Sequence, residues 1–139
     1  MLLSIKPLYS FLSSVEKNLD EIKSLGLGKS GVYLIRNELN SFCYIGSALF
    51  KTYNSNWLYI RFRNHYYSTA KSSNKNLKKA MEIYGIHNFS FHILCFSSQN
   101  LVRKDEQAFL DLLNPEYNVL SFVNFSLWYK HSEENGLKT

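Results

Sequence analysis

The sequence predicts a small α+β domain, a mixed or antiparallel sheet covered by helices. Three observations carry that expectation. Residues 31–36, 42–46 and 89–96 are rich in β-branched and aromatic side chains and alternate with the period of a strand. Residues 10–25, 57–70, 76–84 and 100–113 space their apolar side chains by three and four, the period of a helix. The chain has 139 residues, 45% hydrophobic and 19% charged. That is one domain at roughly 100–200 residues each, with a globular composition.

Phe11, Leu12, Val15, Leu19, Ile22 and Leu25 predict the first helix, ended by Gly26 and Gly28. Residues 1–27 therefore read as a helical appendage. Gly31–Arg36 and Phe42–Gly46, joined by the polar residues 37–41, predict a hairpin with a five-residue loop. Alternation puts Val32, Leu34 and Arg36 on one face and Tyr33 and Ile35 on the other, while Phe42, Tyr44 and Gly46 share a face. A polar loop over 48–56 follows. Leu58, Phe62, Tyr66 and Ala70 then fit a helix that carries Arg61 and His65 at i and i+4.

The next helix buries Leu77, Met81 and Tyr84 and stops at Gly85. The third strand sets Phe89, Phe91, Ile93 and Cys95 against Ser90, His92, Leu94 and Phe96. Asn100 is placed to cap the last helix, with Leu101, Ala108, Phe109, Leu112 and Leu113 inward. Pro115 ends it, and residues 117–120 read as a short extended exit.

Several function classes are excluded at this level. No apolar run approaches the ~20 residues of a membrane span. The first residues have no basic segment ahead of a long apolar run and no small-residue cleavage site, so they do not read as a secretory signal. Cys43 and Cys95 lack a CxxC partner and read as two reduced, buried thiols. The net charge of +5 is unevenly spread. Residues 39–81 hold seven bases and no acid, whereas 82–139 hold four bases and seven acids. One continuous segment free of carboxylates suits a polyanion. Phe, Tyr, Met, Ile, Asn and Lys total 56 residues, and Gly, Ala, Arg and Pro only 16. That bias matches an A/T-rich genome such as an organelle's.

The polar side chains narrow the chemistry. Tyr33 and Tyr44 sit on adjacent strands, Arg61 and His65 on one helical face, Glu106 mid-helix beside Phe109 and Leu110, and Asn118 beyond Pro115. There is no Ser-His-Asp or Cys-His pattern and no glycine-rich phosphate loop. One carboxylate, one arginine and phenol or imidazole groups suit phosphodiester hydrolysis. A divalent ion can be held by one carboxylate plus water and phosphate, an arginine can neutralise the phosphate, and a phenol or imidazole can deprotonate water.

Gly31-Val-Tyr33, Tyr44-Ile-Gly46-Ser47, Arg61 with His65, Glu106 and Pro115-Glu-Tyr-Asn118 together resemble the GIY-YIG nuclease domain, over about residues 28–121. Asn76-Leu-Lys-Lys-Ala-Met81, leading to Gly85, and the run from Asn88 to Leu94 fit as well. The first motif is written Gly-Val-Tyr here. Thirteen residues, Ala48–Ile60, separate Ser47 from Arg61, about twice the number many relatives have.

The resemblance implies the three-stranded antiparallel fold and a metal-dependent DNA endonuclease using Mg2+ or Mn2+. Glu106 is then the metal ligand, Arg61 the phosphate contact and Tyr33 the general base or its activator, with Tyr44, His65 and Asn118 completing the catalytic set. Lys51, Arg63, Lys71, Lys75, Lys78 and Lys79 become contacts to the backbone of nucleic acid. The tail 122–139, with Ser126-Leu-Trp-Tyr-Lys-His131, is similar to the start of a DNA-binding module found in homing endonucleases of fungal organelle introns. That implies double-stranded DNA at an intron insertion site as partner, no membrane, and a mitochondrial, organelle-encoded protein needing no targeting peptide. The alternatives are an inactive nucleic-acid-binding remnant that helps intron RNA splice, and a structure-selective repair nuclease.

Overall fold

The hairpin expected at residues 31–46 is the centre of the sheet. The structure, a computed structural model, describes residues 6–11, 15–49, 56–67 and 74–119. In chain order the elements are β1 (Tyr9–Phe11), α1 (Val15–Gly26), β2 (Ser30–Asn37), β3 (Cys43–Ala48), α2 (Trp57–Tyr67), α3 (Lys75–Tyr84), β4 (Phe89–Ser97), α4 (Val102–Leu113) and the single turn α5 (Glu116–Val119). A 3-10 turn, Ile86–Asn88, leads into β4.

The strands pair antiparallel in the order β1-β4-β2-β3. The sheet has four strands and not three. Tyr9–Phe11, of which helical spacing assigned Ser10 and Phe11 to the first helix, pairs with β4 in the register Tyr9 to Ile93 and Phe11 to Phe91. The physical reason is that β4 would otherwise present an unpaired edge. Leu8 N also donates to Ile93 O at 2.8 Å. Phe11 thereby enters the core at 5% exposure, and α1 starts at Val15.

Each face of the sheet is covered. On the first face, Tyr33, Ile35, Phe89, Phe91 and Ile93 share a core with Ile22 of α1, Leu58 and Phe62 of α2, and Leu77 and Met81 of α3. On the second, Val32, Leu34, Cys43, Ile45 and Leu94 meet Val102, Phe109, Leu110 and Leu113 of α4. Each fully buried side chain of this size contributes about 1.5–3 kcal/mol.

Four further expectations are corrected. The pairing of β2 with β4 shifts register between Val32 and Tyr33. This irregularity leaves Leu94 and Cys95 both against the α4 core, and Phe96 on the first face. Asn100 does not cap α4. The N-cap is Leu101, without a side-chain bond, and Leu101 and Leu112 are exposed. The buried stripe of α4 instead runs through Val102, Phe109, Leu110 and Leu113, so the helix is rotated from the sequence expectation. Of residues 117–120, expected to be extended, 117–119 belong to the helical turn α5.

Helix α2 is anchored before its first residue. Asn56 accepts from Tyr59 N at 3.2 Å, capping α2, and its amide donates to the carbonyl of Lys23 on α1. The α3 N-cap Asn74 accepts from Leu77 N at 2.7 Å. No helix among the described residues is long and apolar enough to cross a membrane.

Candidate active site

Tyr33 stands opposite Gly46 in the β2–β3 ladder. A Cβ on residue 46 would lie 2.5 Å from the Tyr33 hydroxyl oxygen and 2.6 Å from its Cζ. The phenol therefore lies directly over the glycine, whose missing side chain makes its room. Phe62 of α2 meets the same ring edge-on at 4.9 Å between centroids.

The Tyr33 hydroxyl lies 3.0 Å from His65 Nε2 in a buried contact. The Tyr44 ring packs against His65 at 5.5 Å. His65 reaches this position because α2 turns Leu58, Phe62 and His65 toward the sheet. Its exposure is 6%, and its Nδ1 is buried without a hydrogen-bond partner among the described residues. Burial, and then the positive charge of Arg61, lowers its pKa to about 4. His65 is thus a neutral imidazole at ordinary pH, able to accept a proton.

Tyr33 is driven the other way. Burial, first, and the neighbouring Tyr44 raise its pKa well above 10; Arg61 pulls it down, and Glu106 pushes it up. Arg61 does not overcome the desolvation, so Tyr33 rests as a phenol.

Glu106 approaches from the other face of the sheet. It lies within the buried stripe of α4, four residues from both Val102 and Leu110. The Ser47 hydroxyl donates to Glu106 Oε1 at 2.8 Å. One residue earlier on the helix, Asp105 Oδ2 accepts from the Ser97 hydroxyl at 2.6 Å. Two serine–carboxylate bonds thus pin α4 to the ends of β3 and β4. Ser47 had no role in the sequence reading, although it directly follows Gly46 and alternation turns it toward α4.

Asn118 makes a different contact from the one expected of a catalytic group. Its Oδ1 accepts from Ile45 N at 2.7 Å, and its Nδ2 donates to Ile45 O at 2.8 Å. Glu116 Oε1 accepts from Cys43 N at 2.9 Å. Helix α5 therefore grips the outer backbone of β3, the edge strand that carries Tyr44, Gly46 and Ser47. Tyr117 joins this anchor to the rest: its hydroxyl accepts from Asn37 Nδ2 at 3.1 Å, and its carbonyl accepts from Asn76 Nδ2 at 3.2 Å.

No protein-family model matches the chain. It is 35% identical over 144 residues to Probable intron-encoded endonuclease bI1 of Neurospora crassa, a match covering 94% of this chain and 30% of that protein. It is 32% identical over 146 residues to Probable intron-encoded endonuclease 1 of the same fungus, covering 96% of this chain and 45% of that protein. The catalytic domain of the homing endonuclease I-TevI aligns with a TM-score of 0.50 at 28% identity, over 62% of this chain and 89% of that one. The chain is thus similar to two intron-encoded endonucleases of a fungus and to the catalytic domain of a homing endonuclease. A glutamate-to-alanine mutant of the same I-TevI domain aligns at a TM-score of 0.51 and 27% identity, over 62% and 84% of the two chains. The chain spans less than half the length of the curated relatives it matches.

Of the six expected catalytic residues, five lie on the β2–β3 hairpin, contact it or act on Tyr33 by their charge. They are Tyr33, Tyr44, Arg61, His65 and Glu106, and the sixth, Asn118, clamps the strand behind them. Of the expected backbone contacts, Arg63 and Lys75 are exposed, and Lys78 and Lys79 are half-buried. Lys51, Lys71, the tail 122–139 and most of the loop before α2 lie outside the described residues.

Among the described residues, no group of three or more His, Cys, Asp or Glu side chains could hold a metal ion. Glu106 fits a simpler arrangement. Ser47 occupies Oε1, and Oε2 makes no hydrogen bond with the described residues. One hard oxygen, with water and a phosphate, is the coordination Mg2+ commonly accepts.

Proposed function

We propose that this chain is the nuclease domain of an intron-encoded DNA endonuclease. The reaction is divalent-metal-dependent hydrolysis of a phosphodiester bond in double-stranded DNA at an intron insertion site. The observation that carries the reading is the convergence of Tyr33–His65 and Ser47–Glu106 from opposite faces of one sheet, with Arg61 beside them.

Glu106 would hold Mg2+ or Mn2+, which supplies a Lewis acid for the scissile phosphate. Ser47 orients the Glu106 carboxylate through its hydroxyl. Arg61 makes no hydrogen bond or ion pair with the described residues. Its guanidinium is available for a forked contact to phosphate oxygens. Tyr33 takes a proton from the attacking water onto its phenol oxygen while its own proton passes to His65 Nε2. This order suits the resting states of the two groups, a protonated phenol and a neutral imidazole. A phosphodiester brought beside His65 favours the imidazolium that results. Tyr44 and Phe62 keep water from the pair. Arg63, Lys75, Lys78 and Lys79, with Lys51 and Lys71, hold the DNA backbone without reading sequence.

The A/T-biased composition and the Neurospora relatives support a mitochondrial location. Residues 28–121 are the cutting unit in this reading, and 122–139 belong to recognition. The test is nicking of supercoiled plasmid at low salt with Mg2+ or Mn2+, comparing wild type with Glu106→Ala. Metal-dependent nicking lost in the variant is expected. DNA binding without nicking by either protein would favour the inactive remnant, and intron RNA would become the next ligand to try.

A further inference from the structure

A groove of about 570 Å3 opens at the same end of the sheet as the site, between the start of β2 and the loop that leads from β4 into α4. Ser30 pairs with Ser97 and Gly31 with Ala48, so the groove begins one strand away from Ser47. Its lining includes Lys29, Phe96 and the polar run Ser97, Ser98, Gln99 and Asn100. Lys29 is exposed, and its Nζ stands 5.1 Å from the centre of the Phe96 ring, which holds the ammonium at the mouth of the groove. Asp105 accepts the Ser97 hydroxyl at 2.6 Å. Asp105 is the chain neighbour of Glu106, so the groove residue Ser97 bonds to α4 one position from the candidate metal ligand.

An oriented cation beside hydroxyl and amide groups, in a groove open to solvent, suits the phosphate and sugar of an extended nucleic-acid strand. It lies between the start of β2 and the loop into α4, whereas Lys75, Lys78 and Lys79 belong to α3. We propose that the groove at Lys29 and residues 96–100 is a second backbone subsite, binding a DNA phosphate next to the one being cut. The proposal rests on the endonuclease reading above.

The experiment measures binding of a short fluorescent DNA duplex without divalent ion, over a range of KCl concentrations. Wild type is compared with Lys29→Gln and with Ser98→Trp, which fills the groove and leaves the charge unchanged. Melting temperatures check that both variants fold. Losing one phosphate contact lowers the slope of log affinity against log salt by about 1. Both variants are expected to show that drop, and Lys29→Arg to restore the wild-type slope. If the wild type binds DNA and either Lys29→Gln or Ser98→Trp keeps its slope, the subsite is overturned while the endonuclease reading stands. If the wild type shows no salt-dependent binding at all, the endonuclease reading falls and the subsite with it.

Discussion

Replacing Gly46 with alanine tests how closely the Tyr33 phenol is held. The new Cβ would stand 2.5 Å from the hydroxyl oxygen, 2.6 Å from Cζ and 3.1 Å from Cε1, where ordinary contact begins at 3.4 Å. The ring would have to retreat by about 1 Å to reach normal packing distance. It has nowhere to go, because Tyr33 is fully buried and Phe62 packs on it at 4.9 Å. Overpacking of this kind costs about 1–3 kcal/mol. At roughly 4 °C per kcal/mol for a domain of this size, the melting temperature should fall by about 4–12 °C. The displaced hydroxyl also leaves its 3.0 Å contact with His65. A misplacement of about 1 Å at a reacting group costs on the order of 100-fold in rate. Thermal melting and plasmid nicking of Gly46→Ala measure the two effects separately. A variant with wild-type melting would mean that the phenol does not lie over residue 46. One that melts early yet nicks at the wild-type rate would remove Tyr33 from the chemistry.

Ser47→Ala removes the donor to Glu106. Nicking should fall about 10–100-fold and half-saturation by Mg2+ should move upward, with Ser47→Thr recovering most of both; an unchanged metal titration would refute the orienting role. Asn118→Ala strips both hydrogen bonds from the Ile45 backbone. It should cost about 1–3 kcal/mol and speed amide exchange at Ile45, which hydrogen-exchange mass spectrometry can read. His65 and His92 both have pKa values lowered from 6.5 to about 4, mainly by burial. Below about pH 6.5 the unfolded chain binds protons that the folded chain does not. Stability is therefore full above pH 6.5 and is lost as pH falls toward 4, by about 3 kcal/mol for each histidine. Melting temperatures at pH 7 and pH 5 should show the fall, and replacing both histidines with glutamine should flatten it.

The elements legible in the sequence are those whose instructions are local. β2 and β3 alternate cleanly and are joined by a short polar turn, so both faces of the hairpin follow from residue order. α3 carries its own punctuation, an Asn74 cap and Gly85 at a φ of 89°. β1 was hidden because its three residues continue the apolar spacing of α1, and its partner Ile93 lies 84 positions from Tyr9. The irregularity near Leu94 was hidden for a similar reason, since the alternation of β4 alone does not record where its partner slips. α4 has two overlapping apolar stripes, and only the position of the sheet selects Val102, Phe109, Leu110 and Leu113 over Leu101 and Leu112. At the site, the motif resemblance named Tyr33, His65, Glu106 and Asn118, which the fold sets on or against the β2–β3 hairpin. The bond from Ser47 to Glu106 spans 59 positions and required the fold.

The grip of α5 on β3 has a consequence for the company this chain can keep. β3 is an edge strand, and an edge strand offers its outward amides and carbonyls to any other chain able to lie beside it. On this edge Cys43 N is taken by Glu116, and both backbone groups of Ile45 are taken by Asn118. A second copy therefore finds no continuous row of donors and acceptors to extend. The side chains that hold the strand in place also seal this edge of the sheet against intermolecular strand addition.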